Sequence, residues 1–283
     1  MFDLSNPSTP RRIRDFSLDG VQPDASGPVP GGSGVHEVVP LGERLYLSYG
    51  TSRNGVLQIV DRERFLRGDP RAAGPLASSP SGLRFPQIGR LDLPFFWGGH
   101  TAFPLVDVEL ADYAPNRDQR TRDFVVLVSE SVANECQEAR HVVFFVDLAD
   151  EAHPMPVSTF QVPEADGGFC VRGGRFGPHG TQWSMSAPFY KTLQVFSWFN
   201  AGMRVVDVRN PFEPTEVAYY IPATTANTDV RCLTIDGVER CKTAIQTNNV
   251  EVDDRGLIYL VDRANTGLHI VELTGPAAAL LDE

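Results

Sequence analysis

The apolar positions of this chain fall in short runs separated by Gly, Pro, Asn and Asp, a pattern typical of antiparallel strands joined by turns. Only the Ala-rich tail at 276–283 has a helical pattern. The runs predict three four-stranded units and a fourth unit with three strands. The predicted strands are 35–40, 44–49, 56–61 and 87–93; 101–109, 123–129, 141–147 and 157–162; 180–187, 193–198, 203–208 and 216–221; and 250–253, 257–262 and 268–273.

One segment recurs along the chain, namely an apolar strand that ends in an acidic residue and leads into a Pro-bounded turn. Its clearest copy is 202–214, Gly-Met-Arg-Val-Val-Asp-Val-Arg-Asn-Pro-Phe-Glu-Pro. The acidic positions of the other copies are Asp3, Asp61, Asp147 and Glu272. A period of about 60 residues built from short strands is typical of a propeller blade, and not of a helical solenoid.

The segment 202–214 resembles the LVIVD repeat family, whose units read Gly-hydrophobic-x-hydrophobic-Val-Asp-hydrophobic-x-Asn-Pro. This resemblance implies an all-β fold, a β-propeller of four-stranded antiparallel blades. About four to five blades are visible, and they can be part of a larger propeller. We expect a single domain over 1–283, with a linker at 19–34 and a tail at 276–283.

The chain begins inside a repeat, because Met1 directly precedes the strand end at Phe2-Asp3-Leu4. We therefore expect further sequence upstream, including any leader peptide. We also expect the strand at 12–18 to complete the last unit as its missing fourth strand.

Composition and charge narrow the range of partners. The chain has 283 residues, is 42% hydrophobic and carries a formal net charge of −11. The negative charge argues against nucleic acid or an anionic membrane as a partner, since both are bound through Lys and Arg clusters. The apolar runs are too short to predict a membrane span. The expected partner is therefore a protein or a small molecule.

The cysteines favour an oxidising compartment. Asp236-Gly237 suits a two-residue type I′ turn, and counting outward from it places Cys232 opposite Cys241 at a non-hydrogen-bonded pair. This geometry predicts a disulfide between them. Cys136 and Cys170 are left over, either bonded to each other or free. Disulfides predict a periplasmic, secreted or surface-attached protein, and the alternative is a cytosolic protein with four reduced thiols.

Three long segments are expected on one face of the molecule, because they follow second or fourth strands of their units. These segments, here called the top loops, contain all four cysteines and span 129–140, 164–178 and 222–248. The long segments 68–85 and 111–122 fall on the opposite face. Long loops held by disulfides on one face predict a binding surface.

Three of the four units begin with a histidine that follows Gly, Pro or a Gly-Val pair: His36, His100 and His179. Equivalent positions of successive blades surround the central channel, so three imidazoles at its mouth predict a transition-metal site with an open position, for Cu, Fe, Zn or Mn. Neighbouring residues that can add a ligand or a hydrogen-bond acceptor are Asn249, Glu130 and Glu135.

Two function classes follow. The first is a binding module that acts through the top loops, in which the histidines only hydrogen-bond a neighbouring backbone. The second is a metal-dependent oxidoreductase or hydrolase. The sequence Gly-Gly-His-Thr at 98–101 resembles the selenium-binding protein/methanethiol oxidase relatives, which are propellers with His-bound copper. That resemblance implies His100 as a candidate ligand and no particular reaction, and the sequence identifies no catalytic residue.

Overall fold

The computed structural model describes residues 1–13, 15–18, 20–22, 34–68, 85–110 and 120–281. Within these ranges the chain is all-β, and every strand pairing is antiparallel. Four larger sheets, I to IV, follow one another along the sequence, with strand order equal to chain order in each. No helix in the described ranges is both long and apolar enough to cross a membrane.

Two small hairpins precede the larger sheets. They are formed by β1 Phe2–Asp3 with β2 Arg11–Arg12, and by β3 Asp15–Ser17 with β4 Gly20–Gln22. Sheet I contains β5 Val35–Leu41, β6 Arg44–Tyr49, β7 Val56–Asp61 and β8 Gln87–Asp92. A short helix, α1 Arg62–Arg67, follows β7 and begins where the Asp61 carboxylate accepts a hydrogen bond from the Arg64 N–H. The rest of the predicted loop at 69–84 lies outside the described residues.

The remaining elements continue in the same order. Sheet II contains β9 Thr101–Glu109, β10 Thr121–Val128, β11 Val143–Asp147 and β12 Met155–Phe160. Two short 3₁₀ segments follow at Glu164–Gly167 and Phe169–Val171. Sheet III contains β13 Leu193–Ser197, β14 Met203–Asp207 and β15 Thr215–Tyr220. The hairpin β16 Val230–Ile235 with β17 Val238–Thr243 precedes sheet IV, which contains β18 Thr247–Val252, β19 Leu257–Asp262 and β20 Gly267–Glu272. The tail forms a short helix, α2 Pro276–Ala279.

The alternating pattern therefore predicted the strands of sheets I and II to within two residues at each end. The prediction of a strand at 180–187 is wrong. Residues 179–182 lie along β13, but side chains take over part of the pairing, since Gln182 Oε1 accepts from the Val195 N–H at 2.7 Å and Thr181 Oγ1 donates to the Val195 carbonyl at 2.7 Å. Only an isolated bridge between Thr181 and Phe196 remains of the strand.

The expectation that 12–18 completes the last unit is also wrong. Residues 15–17 pair instead with 20–22, and Phe16 and Leu18 pack against the first face of sheet I. Apolar burial explains this placement. Leu45, Leu47 and Tyr49 lie on a face of sheet I that no other described sheet covers, and Phe16 and Leu18 shield them from water. Sheet IV has no fourth strand among the described residues. The linker prediction at 19–34 falls largely on 23–33, outside the described residues.

The larger sheets pack face to face in sequence order through apolar side chains that alternate along their strands. Sheets I and II share a core that includes Tyr46, Leu57 and Val125. Sheets II and III share the largest core, which includes Phe145 and Trp198. Sheets III and IV share a third core. Sheets II and III are thus covered on both faces, which accounts for their nearly continuous apolar strands.

The two ends of the stack differ. One face of sheet I is covered by the second hairpin, whereas the outer face of sheet IV exposes Val261, Leu268 and Ile270. Among the described residues no apolar core joins sheet IV to sheet I, so closure of the sheets into a ring is not observed. The fold is therefore an all-β stack of antiparallel sheets, as the pattern predicted, while a closed propeller is not seen.

Candidate metal centre

The three predicted histidines meet at one point. The ring centroids of His36 and His100 lie 3.8 Å apart, and those of His100 and His179 lie 4.3 Å apart. His36 belongs to sheet I, His100 directly precedes the first strand of sheet II, and His179 lies beside the first strand of sheet III. We call these three side chains the histidine cluster. Three consecutive sheets therefore each contribute one imidazole, as the repeat register predicted.

A β-bulge sets the direction of His36. In the pairing of β5 with β6, Val35 lies opposite Tyr49 and Glu37 lies opposite Ser48, so His36 is the extra residue. A bulge breaks the strict alternation of a strand and re-aims its side chains. His36 and Glu37 therefore both lie close to His100. Glu37 Oε1 is 4.0 Å from His36 Nδ1 and 3.9 Å from His100 Nδ1.

A glycine brings His100 close to sheet I. A Cβ at Gly98 would stand 1.9 Å from the Thr51 carbonyl oxygen, so no larger residue fits this crossing. The His100 N–H then donates to the Val128 carbonyl of β10 at 2.7 Å, and the Ser48 hydroxyl donates to the His100 carbonyl. These bonds fix the backbone of His100 between the two sheets.

Hydrogen bonds orient the rings of His100 and His179. His100 Nδ1 lies 2.7 Å from Thr101 Oγ1, so this nitrogen has a hydrogen-bond partner while Nε2 has none among the described residues. The His179 Nδ1–H donates to the Asn248 carbonyl, because a carbonyl oxygen can only accept. His179 therefore keeps its lone pair on Nε2, the arrangement of a metal-ligating histidine whose other nitrogen is oriented by a backbone acceptor.

Burial keeps these imidazoles neutral. The pKa of His100 is lowered to about 2, first by burial and then by the neighbouring His179 and His36. The pKa of His179 is lowered to about 4 by burial, against the opposing effect of its bond to Asn248. Burial also lowers the pKa of the more exposed His36. Neutral imidazole is the form that binds metal ions, so near neutral pH no proton has to leave these rings.

One carboxylate completes the set. Ligand atoms of His36, His100 and Glu130 all lie within 4.8 Å of one another, and Glu130 Oε1 lies 3.8 Å from His179 Nε2. Burial raises the pKa of Glu130, while the charge of Arg175 acts against this rise. Ligands of a tetrahedral ion stand about 3.4 Å apart, so small side-chain rotations would close His36, His100 and Glu130 around a metal. His179 lies outside this group of three and adjoins it at Glu130 and at the His100 ring. His100 Nε2 is buried and has no hydrogen-bond partner among the described residues.

The other sequence candidates lie nearby but outside this set. Asn249 is exposed, and its side-chain oxygen accepts from the Asn248 amide. Asn248 is the bulged residue of β18 and therefore occupies the place in sheet IV that His36 has in sheet I. Glu135 pairs with Lys242 at 3.0 Å. A second group, Cys232 with Glu239 and Cys241, offers no thiolate because its two sulfurs form a disulfide.

The predicted Cys232–Cys241 disulfide is present, and no described cysteine is free. Cys232 lies directly opposite Cys241 with a Cα–Cα distance of 4.0 Å, so the register counted from Asp236-Gly237 is confirmed. The leftover pair, Cys136 and Cys170, is also bonded. Two disulfides in a chain of this size are typical of an oxidising environment outside the cytoplasm.

The three top loops touch one another. The Cys136–Cys170 bond joins the first to the second, the Asn134 amide donates to the Cys232 carbonyl at 2.9 Å, and Lys242 Nζ donates to the Val171 carbonyl at 2.9 Å. Each loop also supplies one residue beside the histidine cluster, namely Glu130, Arg175 and Asn248. The loops and the cluster therefore form one continuous face.

Sequence reasoning missed Glu37, Asn248 and Arg175. Glu37 directly follows a candidate ligand, but strict strand alternation turns such a neighbour to the opposite face, and the bulge that reverses this is not visible in the apolar pattern. The sequence indicated Asn249 and not Asn248 for the same reason, because the bulge at Asn248 is not visible in the apolar pattern. Arg175 lies in an irregular loop, where no periodicity predicts direction.

Comparison with known protein families and with characterised proteins gives no match for this chain. The site is therefore interpreted from its own geometry.

Proposed function

We propose that this protein binds one transition-metal ion through His36, His100, His179 and Glu130. The observation that carries the proposal is the contact of three neutral imidazoles at His100, together with the buried Nε2 of His100, which has no partner among the described residues. Leaving a buried polar atom unpaired costs about 1–3 kcal/mol, so such an atom marks a site where a ligand is expected.

The hydrogen bond from His179 to the Asn248 carbonyl fits both a structural role and a metal-binding role of the histidines. It joins adjacent sheets, and it also orients His179 Nε2. A purely structural role accounts less well for His100. Its Nδ1 bond to Thr101 is local to one sheet, and its Nε2 is held in the interior with no acceptor or donor. Metal binding supplies a partner for that atom.

Three nitrogens and one oxygen suit Zn, Cu, Fe or Mn. The His36 side chain is 36% exposed, against 2% for His100, so a ligand from solvent would approach from the side of His36. A site with protein ligands on one side and access on the other belongs to the open class, in which an exogenous molecule completes the coordination. We therefore favour a metal-dependent enzyme, an oxidoreductase or a hydrolase.

The test is metal analysis of protein purified without chelator, together with titration of EDTA-stripped protein with Zn²⁺, Cu²⁺, Fe²⁺ and Mn²⁺. We expect about one ion per chain, and loss of this ion in His100→Leu and in His179→Leu. The matched control is His153→Leu, because His153 is exposed and its side chain pairs, among the described residues, only with Asp150. Equal metal content in all four proteins, or none in any, would refute the proposal.

The architecture is also part of the proposal. The order of sheets I to IV, their face-to-face packing and the placement of three equivalent residues at one point support an LVIVD-type β-propeller arrangement, with about four blades in this chain. The disulfides support an extracytoplasmic location. Alkylation without reductant tests the second point in protein isolated from its native compartment, where four added alkyl groups would contradict it.

A second candidate is a binding module that acts through the top loops. It is supported by a cavity of about 210 Å³ beside the Cys136–Cys170 bond, lined also by Phe176 and Trp198. A thermal-shift screen with small aromatic fragments tests it. Fragments that stabilise the wild type and not Ala139→Trp, which fills the cavity from its rim, would support this role, and equal shifts in both proteins would exclude it.

A further inference from the structure

Two arginines converge beside the histidine cluster. The guanidinium carbons of Arg175 and Arg263 lie 5.4 Å and 5.1 Å from the centroid of the Phe199 ring. The ring of His179 lies 5.3 Å from the same centroid. Phe199 is fully buried, so it forms a fixed platform that holds both guanidinium groups next to one of the proposed metal ligands.

The two positive charges are only partly balanced. Arg175 donates to Glu130 Oε1 at 3.0 Å, and Glu130 is shared with the cluster. Arg263 donates to the side-chain oxygen of Asn248 at 2.9 Å, and no carboxylate within the described ranges lies within ion-pair distance of it. The nearby Asp262 is buried, and its two oxygens accept backbone N–H groups.

Electrostatics and local structure agree that this pair is held in place. Burial lowers the pKa of Arg263, and the charge of Arg175 lowers it further. The backbone of Arg175 is fixed by Gln246, whose side-chain oxygen accepts the Arg175 N–H at 3.0 Å. Two like charges against one ring and partly out of water are costly to the protein alone; Glu130 offsets part of that cost, and an anion that contacts both guanidinium groups would reduce it further.

We propose that Arg175 and Arg263 bind the oxyanion group, carboxylate or phosphate, of a small molecule whose other end reaches the histidine cluster. Planar guanidinium groups suit both anions, because each can donate two parallel hydrogen bonds to a pair of oxygens. The inference rests on the proposed function, since the metal would hold the other end of the molecule. It narrows the substrate class to short anionic molecules.

The experiment measures the affinity of acetate, inorganic phosphate and the neutral acetamide for metal-loaded and for EDTA-stripped protein, by calorimetry at low ionic strength. Arg263→Gln is compared with Arg263→Lys and with the control Arg255→Gln, whose native side chain pairs with Asp253 on an exposed turn. Metal content is determined for every variant.

We expect acetate or phosphate to bind the wild type, with a Kd at least about tenfold higher in Arg263→Gln, a partial recovery in Arg263→Lys and no change in Arg255→Gln. Metal content should stay the same in all four proteins. The tighter of the two anions identifies the group that the site prefers. Equal Kd values in the wild type and Arg263→Gln, or acetamide bound as tightly as acetate, would overturn the inference.

These results separate the two proposals. If metal content is normal and the anion Kd is the same in the wild type and in Arg263→Gln, the anion site is refuted and the metal centre is supported. Absence of metal with anion affinity that still depends on Arg263 refutes the metal centre and supports the arginine pair as an anion site.

Discussion

Replacing His100 by leucine should make the metal-free protein more stable and the metal-loaded protein less stable than the wild type. The substitution removes a buried ring nitrogen that has no partner in the described part of the chain, and it puts an apolar side chain of similar size at a position that is only 2% exposed. The hydroxyl of Thr101 loses His100 Nδ1 as its partner, but the Glu37 carboxylate beside it can accept the same proton, so no new unpaired group is created.

The magnitude follows from two opposing terms. Removing the unpaired Nε2 gains about 2 kcal/mol, and losing the Nδ1 bond to Thr101 costs about 1 kcal/mol, so the metal-free variant should be more stable by about 1 kcal/mol. Metal at one hundred times its Kd stabilises only the wild type, by about 2.7 kcal/mol. The order of the two proteins should therefore reverse, with the wild type ahead by about 2 kcal/mol.

Urea unfolding in EDTA and again with saturating metal measures both differences. His153→Leu serves as the control, since its exposed position predicts a change below about 0.5 kcal/mol in either condition. A His100→Leu protein that is less stable than the wild type in EDTA would show that Nε2 has a partner after all. A wild type that gains nothing from metal would show that the cluster does not bind it.

Three further predictions concern pH, the disulfides and a glycine. Because the folded pKa of His100 is lowered to about 2 and that of an unfolded histidine is near 6.5, the unfolded chain takes up the proton first as pH falls. Between pH 6 and 4 the metal-free wild type should therefore lose stability more steeply than His100→Leu, by about 1.4 kcal/mol per pH unit. Glu37 and Glu130, whose pKa values are raised, have the opposite effect, but they are present in both proteins and cancel in the comparison. Equal slopes in urea unfolding would contradict this prediction. Replacing Cys136 and Cys170 by alanine opens a 34-residue loop and should lower the free energy of unfolding by about 3.8 kcal/mol, against about 2.6 kcal/mol for the 9-residue loop of Cys232 and Cys241; the reverse order in calorimetry would speak against the chain-entropy account. Gly98→Ala should cost about 3 kcal/mol and weaken metal binding, because its Cβ meets the Thr51 carbonyl, whereas Gly34→Ala, with no described atom within 4 Å, should be near neutral in both measurements; a well-folded Gly98→Ala protein with normal metal affinity would rule out this role of the crossing.

The sequence carried enough information to predict which histidines meet, because equal positions in successive repeats meet wherever successive sheets pack face to face. It was also sufficient for the Cys232–Cys241 bond, since a two-residue turn fixes the register of its hairpin. Both predictions depend on counting from a fixed point. The strand at 180–187 failed because Thr181 and Gln182 compete for backbone partners with their side chains, which apolar periodicity does not register.

Glu37 and Asn248 could not be predicted because each lies at a bulge. There one additional residue reverses the face of the sheet to which the neighbouring side chains point. Arg263 shows a different limit. It directly follows strand β19, yet its importance comes from Arg175, which is far away in sequence and contacts the same Phe199 ring. Charge convergence of this kind has no local signature, and it appears only when loops from different repeats are brought together.

Within the described ranges each sheet packs only on its sequence neighbours, and this has a consequence for how the molecule opens. A row of layers joined pairwise loses structure from its ends, because an end layer breaks one interface and a middle layer breaks two. Sheet IV, whose outer face exposes Leu268 and Ile270, is the weaker end, so its amides should exchange with solvent fastest. The histidine cluster draws one residue from each of sheets I, II and III, and an ion bound there would tie three layers that otherwise open in turn. Metal would then slow exchange across sheet I while leaving sheet IV free to open.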